Sequence, residues 1–215
     1  MPLYTKKHIK NGKVALWHIT ETKEELTSLL PLSWQANLDM DNGSVHNIAA
    51  RVLAHTVCPD FDILEKDEYG KPYFDSEDHK ISITHSGKFA GFMYTKERDC
   101  GLDMEEITER VRRIQSKFVR EDEAAFLADD LRGLYILWCA KEAMYKHYGL
   151  KSLDFKKHMK LDYQKLTETG KLIGHIVKDE YSRTLELEYS FFDNYYRNYC
   201  RVTWCILSRT RCKNL

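Results

Sequence analysis

The chain has 215 residues, with 33 Lys and Arg against 33 Asp and Glu, 43% apolar residues and only 4 prolines. An apolar fraction of this size excludes an intrinsically disordered protein, and a formal net charge of zero argues against a protein that mainly grips nucleic-acid phosphates. The longest apolar runs are far shorter than the roughly 20 residues that cross a bilayer, and the N-terminus has no apolar segment typical of a secretory signal. Six cysteines without C-x-x-C spacing are expected to be reduced thiols. We therefore expect a folded cytoplasmic protein that binds neither nucleic acid nor membrane.

The first half of the chain predicts a strand, two helices and then a series of strands. Alternating residues indicate a strand at 13–20, followed by a helix that Thr20 or Thr22 opens. Apolar residues at helical spacing predict a second helix, which Asp41 or Ser44 can cap. Further strands are predicted at 61–64, 80–85, 89–94 and 100–105.

The second half repeats this order of elements. A helical region over 121–149 precedes strands predicted near 158–163, 171–177, 184–192 and 199–207. A helix followed by a meander of strands, twice over, predicts an α+β protein of two similar lobes, each a helix packed on a mainly antiparallel sheet. We place the lobes at residues 1–102 and 103–215. They are expected to be related by a pseudo-two-fold and to enclose the active site in the cleft between them.

Two carboxylates fall on one face of the strand predicted at 100–105. Residues 101–105 read GLDME, so Asp103 and Glu105 point to the same side, about 7 Å apart along the chain. Their repulsion is relieved by protonation or by a hard cation such as Mg²⁺ if this face lies in a cleft. The alternative is a solvated outer face of an antiparallel strand.

A third carboxylate interrupts an apolar stripe of the long helix. At 100° per residue, one stripe contains Leu131, Leu134, Tyr135, Trp138, Glu142 and Tyr145. Burying Glu142 there is costly without a charged partner, and Lys146, one turn on, or a metal could provide it. The alternative is a structural Glu142–Lys146 ion pair on a half-buried helix.

A possible phosphate contact lies in residues 80–88, which read KISITHSGK. A strand that ends in His85, two hydroxyls and a lysine at a tight turn can hold phosphate. An ordinary hairpin with a surface histidine is the alternative.

Taken in order, four segments resemble the 4′-phosphopantetheinyl transferases. They are GKPYF at 70–74, SITHS at 82–86, GLDME at 101–105 and WCAKEAMYK at 138–146. The similarity is greatest to the monomeric, two-lobed class, which activates the carrier proteins of fatty-acid, polyketide and nonribosomal-peptide synthesis. The combination of G-x-D-x-E with W-x-x-K-E-x-x-x-K some 35 to 40 residues later is specific.

The resemblance implies a reaction and a set of roles. A serine of an apo acyl or peptidyl carrier protein attacks the β-phosphate of coenzyme A, and adenosine 3′,5′-bisphosphate leaves. By this resemblance Asp103, Glu105 and Glu142 would hold Mg²⁺, or Mn²⁺ in its place, and Glu142 and Lys146 would be catalytic. The residues implied to contact coenzyme A are Lys71, Pro72, Thr84, His85, Arg51 and Lys141. Arg51 takes this role because Asn47 stands where the family often has an arginine.

The resemblance also predicts how the partner docks. Five basic residues directly follow the carboxylate strand: Arg110, Arg112, Arg113, Lys117 and Arg120. Val111, Ile114 and Phe118 lie among them at helical spacing, which gives an apolar strip beside a basic one. Carrier proteins of this family's substrates are acidic around the modified serine, so we expect the carrier to dock near Arg110, Arg112, Arg113, Ile114, Lys117 and Phe118.

Two other functions remain open at this point. One is a non-catalytic relative that binds a carrier protein, although such a protein has no need of a costly carboxylate cluster. The other is a metal-dependent phosphodiesterase that uses the same carboxylates with water as the nucleophile.

Overall fold

A computed structural model describes residues 3–36, 38, 43–61, 64–74, 79–96, 99–127, 130–162, 167–193 and 201–211, of which 125–127, 192–193 and 201–211 are described by their backbone only. The chain divides into two compact units, Met1–Cys100 and Gly101–Leu215. Each contains helices and one antiparallel sheet, so the predicted α+β class is confirmed. The pseudo-two-fold and the cleft stay predictions. No helix in the described ranges is long and apolar enough to span a membrane.

The first unit is built on a six-stranded sheet. Its strands are β1 (Leu3–Ile9), β2 (Gly12–His18), β3 (Glu65–Lys66), β4 (Pro72–Tyr73), β5 (His79–Ser86) and β6 (Phe89–Lys96). They are ordered β1-β2-β6-β5-β4-β3 across the sheet. The strands predicted at 13–20, 80–85 and 89–94 are thus confirmed as β2, β5 and β6.

Two other segments of this sheet differ from the expectation. β1 was not predicted, because five of its seven residues are exposed and the segment has no alternation of apolar and polar residues. The strand predicted at 61–64 lies partly outside the described residues. Phe61 and Leu64 are not in a strand, and β3 begins at the next residue.

Three helices accompany this sheet: α1 (Lys23–Ser28), α2 (Leu32–Gln35) and α3 (Val45–Val57). Thr22 opens α1 with a capping box, in which its Oγ1 accepts from the Glu25 backbone N–H at 3.2 Å and its own N–H donates to Glu25 Oε2 at 2.8 Å. Ser44 caps α3 by accepting from the Asn47 N–H, and Asp41 lies outside the described residues. The buried side of α3 packs on the sheet face that carries Ala15 and Phe92.

The second unit is built on a five-stranded sheet. Its strands are β7 (Leu102–Glu106), β8 (Met159–Asp162), β9 (Thr169–Lys178), β10 (Tyr181–Asp193) and β11 (Arg201–Arg211). They are ordered β7-β11-β10-β9-β8, so the first strand of the unit pairs with the last. In this register Asp103 lies opposite Cys205, and Glu105 lies opposite Thr203. The strands predicted in this half are confirmed where they fall on described residues.

The helices of this unit are α4 (Arg110–Phe118), α5 (Glu121–Leu127) and α6 (Leu131–Tyr148). The helical region predicted over 121–149 therefore contains two helices, and Asp130, which caps α6, is not helical itself. Gly149 ends α6 with a φ of 73°, a left-handed conformation that glycine adopts without a steric penalty. α6 packs on the sheet and supplies eight of the 18 buried apolar residues described in the core of this unit.

A buried ion pair lies at the centre of the second unit. Lys141 is 0% exposed, and its Nζ donates to Glu123 Oε2 at 2.7 Å, to the Phe118 carbonyl at 2.7 Å and to the Phe155 carbonyl at 2.9 Å. The other carboxylate oxygen of Glu123 accepts from the Leu161 N–H at 3.1 Å. Because both charges are paired and hydrogen-bonded, their burial is tolerated. These hydrogen bonds connect α6 with the end of α4, with α5, with the loop that contains Phe155 and with β8.

Removing one partner should therefore destabilise the second unit strongly. Lys141→Met leaves a buried carboxylate without its cation, and we expect a loss of about 3–5 kcal/mol in the free energy of unfolding. Adding Glu123→Gln to that variant should restore part of the loss, because no charge then remains buried. Arg132→Ala, which breaks the exposed pair with Glu168, is the matched control and should cost less than about 1 kcal/mol. Urea titrations followed by circular dichroism measure all three variants, and equal costs for the buried and exposed pairs would contradict the expectation.

Candidate functional site

The three predicted carboxylates lie on two elements of the second unit that pack against each other. Asp103 and Glu105 are on β7, two residues apart and therefore on one face of the strand. Glu142 lies on α6, which contacts β7. Asp103 is buried at 5% exposure, whereas Glu105 and Glu142 are half-buried. The alternative of a fully solvated outer strand face is wrong for this segment.

Lys146 bridges the helix and the strand. Its Nζ donates to Asp103 Oδ1 at 2.8 Å and to the Leu102 carbonyl at 2.9 Å. The ion pair that Lys146 forms is therefore with Asp103 across the β7–α6 contact, and not the Glu142–Lys146 pair considered from the helical spacing. With its side chain 28% exposed, the lysine is placed at the edge of the core rather than inside it.

The carboxyl group of Glu142 is strongly perturbed by its surroundings. Burial, the largest cause, and the negative charges of Asp103 and Glu105 together raise its pKa to about 7, against the opposing effect of Lys146. Asp103, Glu105 and Lys146 are therefore all near enough to Glu142 to act on it electrostatically. At neutral pH Glu142 is divided between its protonated and ionised forms, which suits a group that accepts a proton.

The helix stripe that was predicted to be buried is fully buried only at Leu134 and Tyr135. Trp138, Glu142 and Tyr145 are half-buried, and the fully buried side of α6 includes Ala140 and Lys141. The most deeply buried charge of the helix is thus Lys141, not Glu142. Helical spacing alone groups residues into stripes, and the packing partners decide which stripe turns inward.

Lys141 was also predicted to contact the coenzyme. All three N–H donors of its ammonium group are used by Glu123 and two backbone carbonyls. We propose that its role is to fix α6, because a ligand contact would require it to break one of these buried bonds. Glu123 was missed in the sequence. Helical spacing did not distinguish Glu123 from its acidic neighbours Glu121 and Asp122.

A metal site fits this cluster in donor chemistry but is not preformed. Carboxylate oxygens are the ligands that Mg²⁺ and Mn²⁺ prefer, and the charges of Asp103 and Glu105 both contribute to the raised pKa of Glu142. Among the side chains that the structure describes, however, no three Asp, Glu, His or Cys converge closely enough to hold a metal ion. Because Lys146 already occupies Asp103 Oδ1, a cation at Asp103 would compete with this ammonium group.

The predicted coenzyme contacts of the first unit are placed as follows. Lys71 pairs with Asp99 at 2.9 Å, and Pro72 is in β4. Thr84 is buried, and the next residue, His85, is exposed on the opposite face of β5, where its ring lies 4.9 Å from that of His46. Thr84 and His85 therefore point away from each other within this unit.

Arg51, the other predicted coenzyme contact, lies on α3. Its guanidinium donates to the Asn47 carbonyl one turn earlier at 3.3 Å, and burial lowers the pKa of Arg51. The roles predicted for all these residues stay predictions.

The predicted docking ridge is confirmed as a helix, α4, but its apolar strip faces inward. Val111 and Phe118 are buried in the core of the second unit, and Ile114 packs against that core. Val111 and Phe118 are therefore not available to a partner, whereas Ile114 is only partly buried. Arg112 pairs with Glu109 at 2.9 Å. The exposed basic residues of α4 are Arg110, Arg113 and Lys117.

The loop between β7 and α4 is held by a residue that sequence reasoning did not single out. The hydroxyl of Tyr135, on α6, accepts from the Thr108 N–H at 3.1 Å and lies 3.0 Å from its Oγ1. Tyr135 thereby fixes the segment that follows Glu105 and Glu106. Its position on the apolar stripe predicted burial, and only the packing revealed the hydroxyl's partner.

Residues 99–200 match the family model ACPS, the 4′-phosphopantetheinyl transferase superfamily. The second unit carries a 4′-phosphopantetheinyl transferase superfamily domain. The match contains both specific motifs, on β7 and on α6, and so confirms the resemblance seen in the sequence. Nearly all of the first unit lies outside the matched residues. No protein of curated function matches the chain.

The stability of the superfamily domain should depend on pH because of the raised pKa of Glu142. A folded-state pKa of about 7 against about 4.5 in the unfolded chain means that the folded state holds the proton more tightly, so stability falls between about pH 4.5 and 7. Glu142→Gln removes this dependence. In EDTA at pH 8, the Glu142→Gln variant should be more stable than the wild type by at most about 3 kcal/mol and should therefore have a higher Tm. Below about pH 5 the two Tm values should match.

Glu121→Gln, an exposed carboxyl change in the same domain, is the control and should leave the Tm difference small at both pH values. Thermal melts in matched buffers provide the measurement. A Tm difference for Glu142→Gln that is independent of pH would show that this carboxyl does not titrate near neutrality.

Proposed function

We propose that the protein transfers the 4′-phosphopantetheine arm of coenzyme A to a serine of an apo carrier protein. The observation that supports this most directly is the superfamily domain in which Asp103, Glu142 and Lys146 interact across β7 and α6. The serine Oγ forms a bond to the β-phosphorus of coenzyme A. The bond from that phosphorus to the bridging oxygen breaks, and adenosine 3′,5′-bisphosphate leaves with the electron pair. The products are the holo carrier protein and the bisphosphate.

Glu142 is the candidate that accepts the serine proton. A general base works best when its pKa lies near the working pH, and burial beside two carboxylates brings the pKa of Glu142 to about 7. At neutral pH a substantial fraction of Glu142 is therefore ionised and ready to take the proton. An exposed glutamate would be ionised too, but with a lower pKa it would be a weaker base.

Lys146 is the candidate that neutralises charge on the departing phosphate. Its side chain is 28% exposed at the edge of the core, and two of its three N–H groups donate to Asp103 and Leu102. The remaining donor can reach a ligand oxygen without breaking either bond. A charge placed in advance where negative charge develops lowers the barrier most.

Asp103, Glu105 and Glu142 are the residues that would hold Mg²⁺ or Mn²⁺. When bound, such an ion would withdraw charge from the pyrophosphate oxygens. Asp103 already holds a cationic group, the Lys146 ammonium, at 2.8 Å. The predicted contacts of coenzyme A with Lys71, Pro72, Thr84, His85 and Arg51 rest on the resemblance.

The carboxylates of β7 offer the sharpest test of this function. Asp103→Asn keeps the shape of the side chain but loses the charge that faces Lys146 and Glu142, and we expect transfer to fall by at least about 100-fold. Mass spectrometry of an apo carrier domain incubated with coenzyme A and Mg²⁺ measures the added phosphopantetheine arm. Glu106→Gln, on the same strand with its side chain on the opposite face, should retain transfer.

The same assay separates the competing functions. Free phosphopantetheine formed without any carrier protein would identify a phosphodiesterase. Carrier binding without transfer in the wild type would identify a non-catalytic relative. Transfer by Asp103→Asn above about a tenth of the wild-type rate would contradict the role assigned to this carboxylate.

The exposed basic face of α4 is the proposed docking surface for an acidic carrier. Arg113→Glu with Lys117→Glu should raise the KM for the carrier about tenfold at low ionic strength and flatten its salt dependence, because these charges mainly raise the encounter rate. The KM for coenzyme A should not change. Lys160→Glu with Lys171→Glu makes the same change of charge at two other exposed lysines of the unit and should leave carrier kinetics unchanged. Equal effects of the two double variants would reject a specific docking role for α4.

A further inference from the structure

The first unit contains a cavity that none of the assignments above uses. It has a volume of about 540 Å³, in the range of small-molecule sites, and lies where α3 ends. The segment from Thr56 to Phe61 forms one side, and strands β1, β2, β5 and β6 form the other. None of the residues predicted to contact coenzyme A lines it.

Three lysines reach this cavity from neighbouring strands. Lys13 is paired with Tyr94 and Lys6 with Ala15, which puts Lys6 and Lys13 on the sheet face that carries α3. Lys96 lies on the same face, two residues beyond Tyr94. None of the three ammonium groups is within ion-pair distance of a carboxylate in the described parts of the chain.

The charge of the described lining is therefore positive. Against three lysines it holds one carboxylate, that of Asp60. Lys6 and Lys13 are also close enough to Cys58 to lower the pKa of its thiol, although burial dominates and raises that pKa to about 12. Cys58 accordingly stays an uncharged thiol at neutral pH and contributes an apolar surface to the cavity.

Aromatic rings form one wall of the cavity. The ring of Phe61 lies 4.3 Å from that of His79 and 5.9 Å from that of Tyr94, and His79 and Tyr94 are 5.9 Å apart. Lys13 Nζ lies 5.8 Å from the centre of the Tyr94 ring. This wall can stack a planar group beside an ammonium group, because aromatic rings attract further rings by stacking or edge-to-face packing and attract cations over their faces.

We propose that this cavity binds a small aromatic anion, a planar ring that carries a phosphate or a carboxylate. The ring would stack on the wall of Phe61 and His79, and Lys6, Lys13 and Lys96 would meet the negative group. Charge-assisted hydrogen bonds to lysine favour such an anion over an uncharged ring. The aromatic wall favours it over an inorganic anion.

Binding is tested with four probes on the full chain by isothermal titration calorimetry. 1-Naphthyl phosphate and 1-naphthoate carry both features, 1-naphthol carries only the ring, and inorganic phosphate carries only the charge. At least one of the first two should bind about tenfold more tightly than either single-feature probe. The tighter of the two naphthyl anions identifies the charged group. If neither exceeds naphthol and phosphate, the proposal is wrong.

Two double variants locate the binding. Lys13→Met with Lys96→Met keeps the alkyl stems and should weaken the preferred probe about tenfold. Lys7→Met with Lys80→Met removes the same charge from the opposite face of β1 and β5, and its affinity should stay within about twofold of the wild type. A loss of Tm without a loss of affinity in the first variant would mean that these lysines only complement the carbonyl end of α3, and would overturn the proposal.

One variant tests the aromatic wall of the cavity. Phe61→Leu keeps an apolar residue beside the core and should weaken the naphthyl anions while leaving inorganic phosphate unchanged. Carrier modification by coenzyme A should persist in all these variants, since the cavity shares no residue with the proposed transfer chemistry. Loss of that activity together with naphthyl binding would show that the cavity is not a separate site.

Discussion

The buried contact between Lys141 and Glu123 fixes the arrangement on which the candidate site depends. Consecutive helix residues point about 100° apart. When Lys141 is held against Glu123 and two backbone carbonyls, the direction of Glu142 is set as well. Glu142 then lies at the edge of the core, within the electrostatic influence of the β7 carboxylates. A charged pair at this depth is costly unless every donor is satisfied, so its geometry tolerates little variation.

The W-x-x-K-E-x-x-x-K motif therefore combines two physical tasks. Lys141 is satisfied by protein atoms and orients the helix. Glu142 and Lys146 keep incomplete or shared partners, with a pKa of about 7 for the carboxyl and a lysine that bridges to Asp103. Charged groups that are partly satisfied are the ones that can respond to a substrate, and the fully satisfied pair makes their positions reproducible.

Each unit solves the same packing problem with a long helix on one antiparallel sheet, but the polar groups left at the edges differ. In the second unit Glu142 and Lys146 lie at the edge of α6, beside the carboxylates of β7. In the first, the sheet extends past the end of α3 and leaves lysines and aromatic rings around a cavity. A sheet face longer than the helix that covers it exposes such residues. In each unit, therefore, the polar and charged groups that stay accessible are those that the helix does not cover.

The sequence by itself determined the α+β class, most elements and the superfamily, because these depend on periodicity, caps such as Thr22 and Ser44, and motifs of local spacing. The edge strand β1 carried no such signal. Only the tertiary structure decided that Lys141 is buried with Glu123, that Lys146 pairs with Asp103, and that the apolar side of α4 belongs to the core. Spacing determines which residues share a face. The neighbour that meets that face comes from distant segments of the chain, and it decides which charges are paired, buried or left for chemistry.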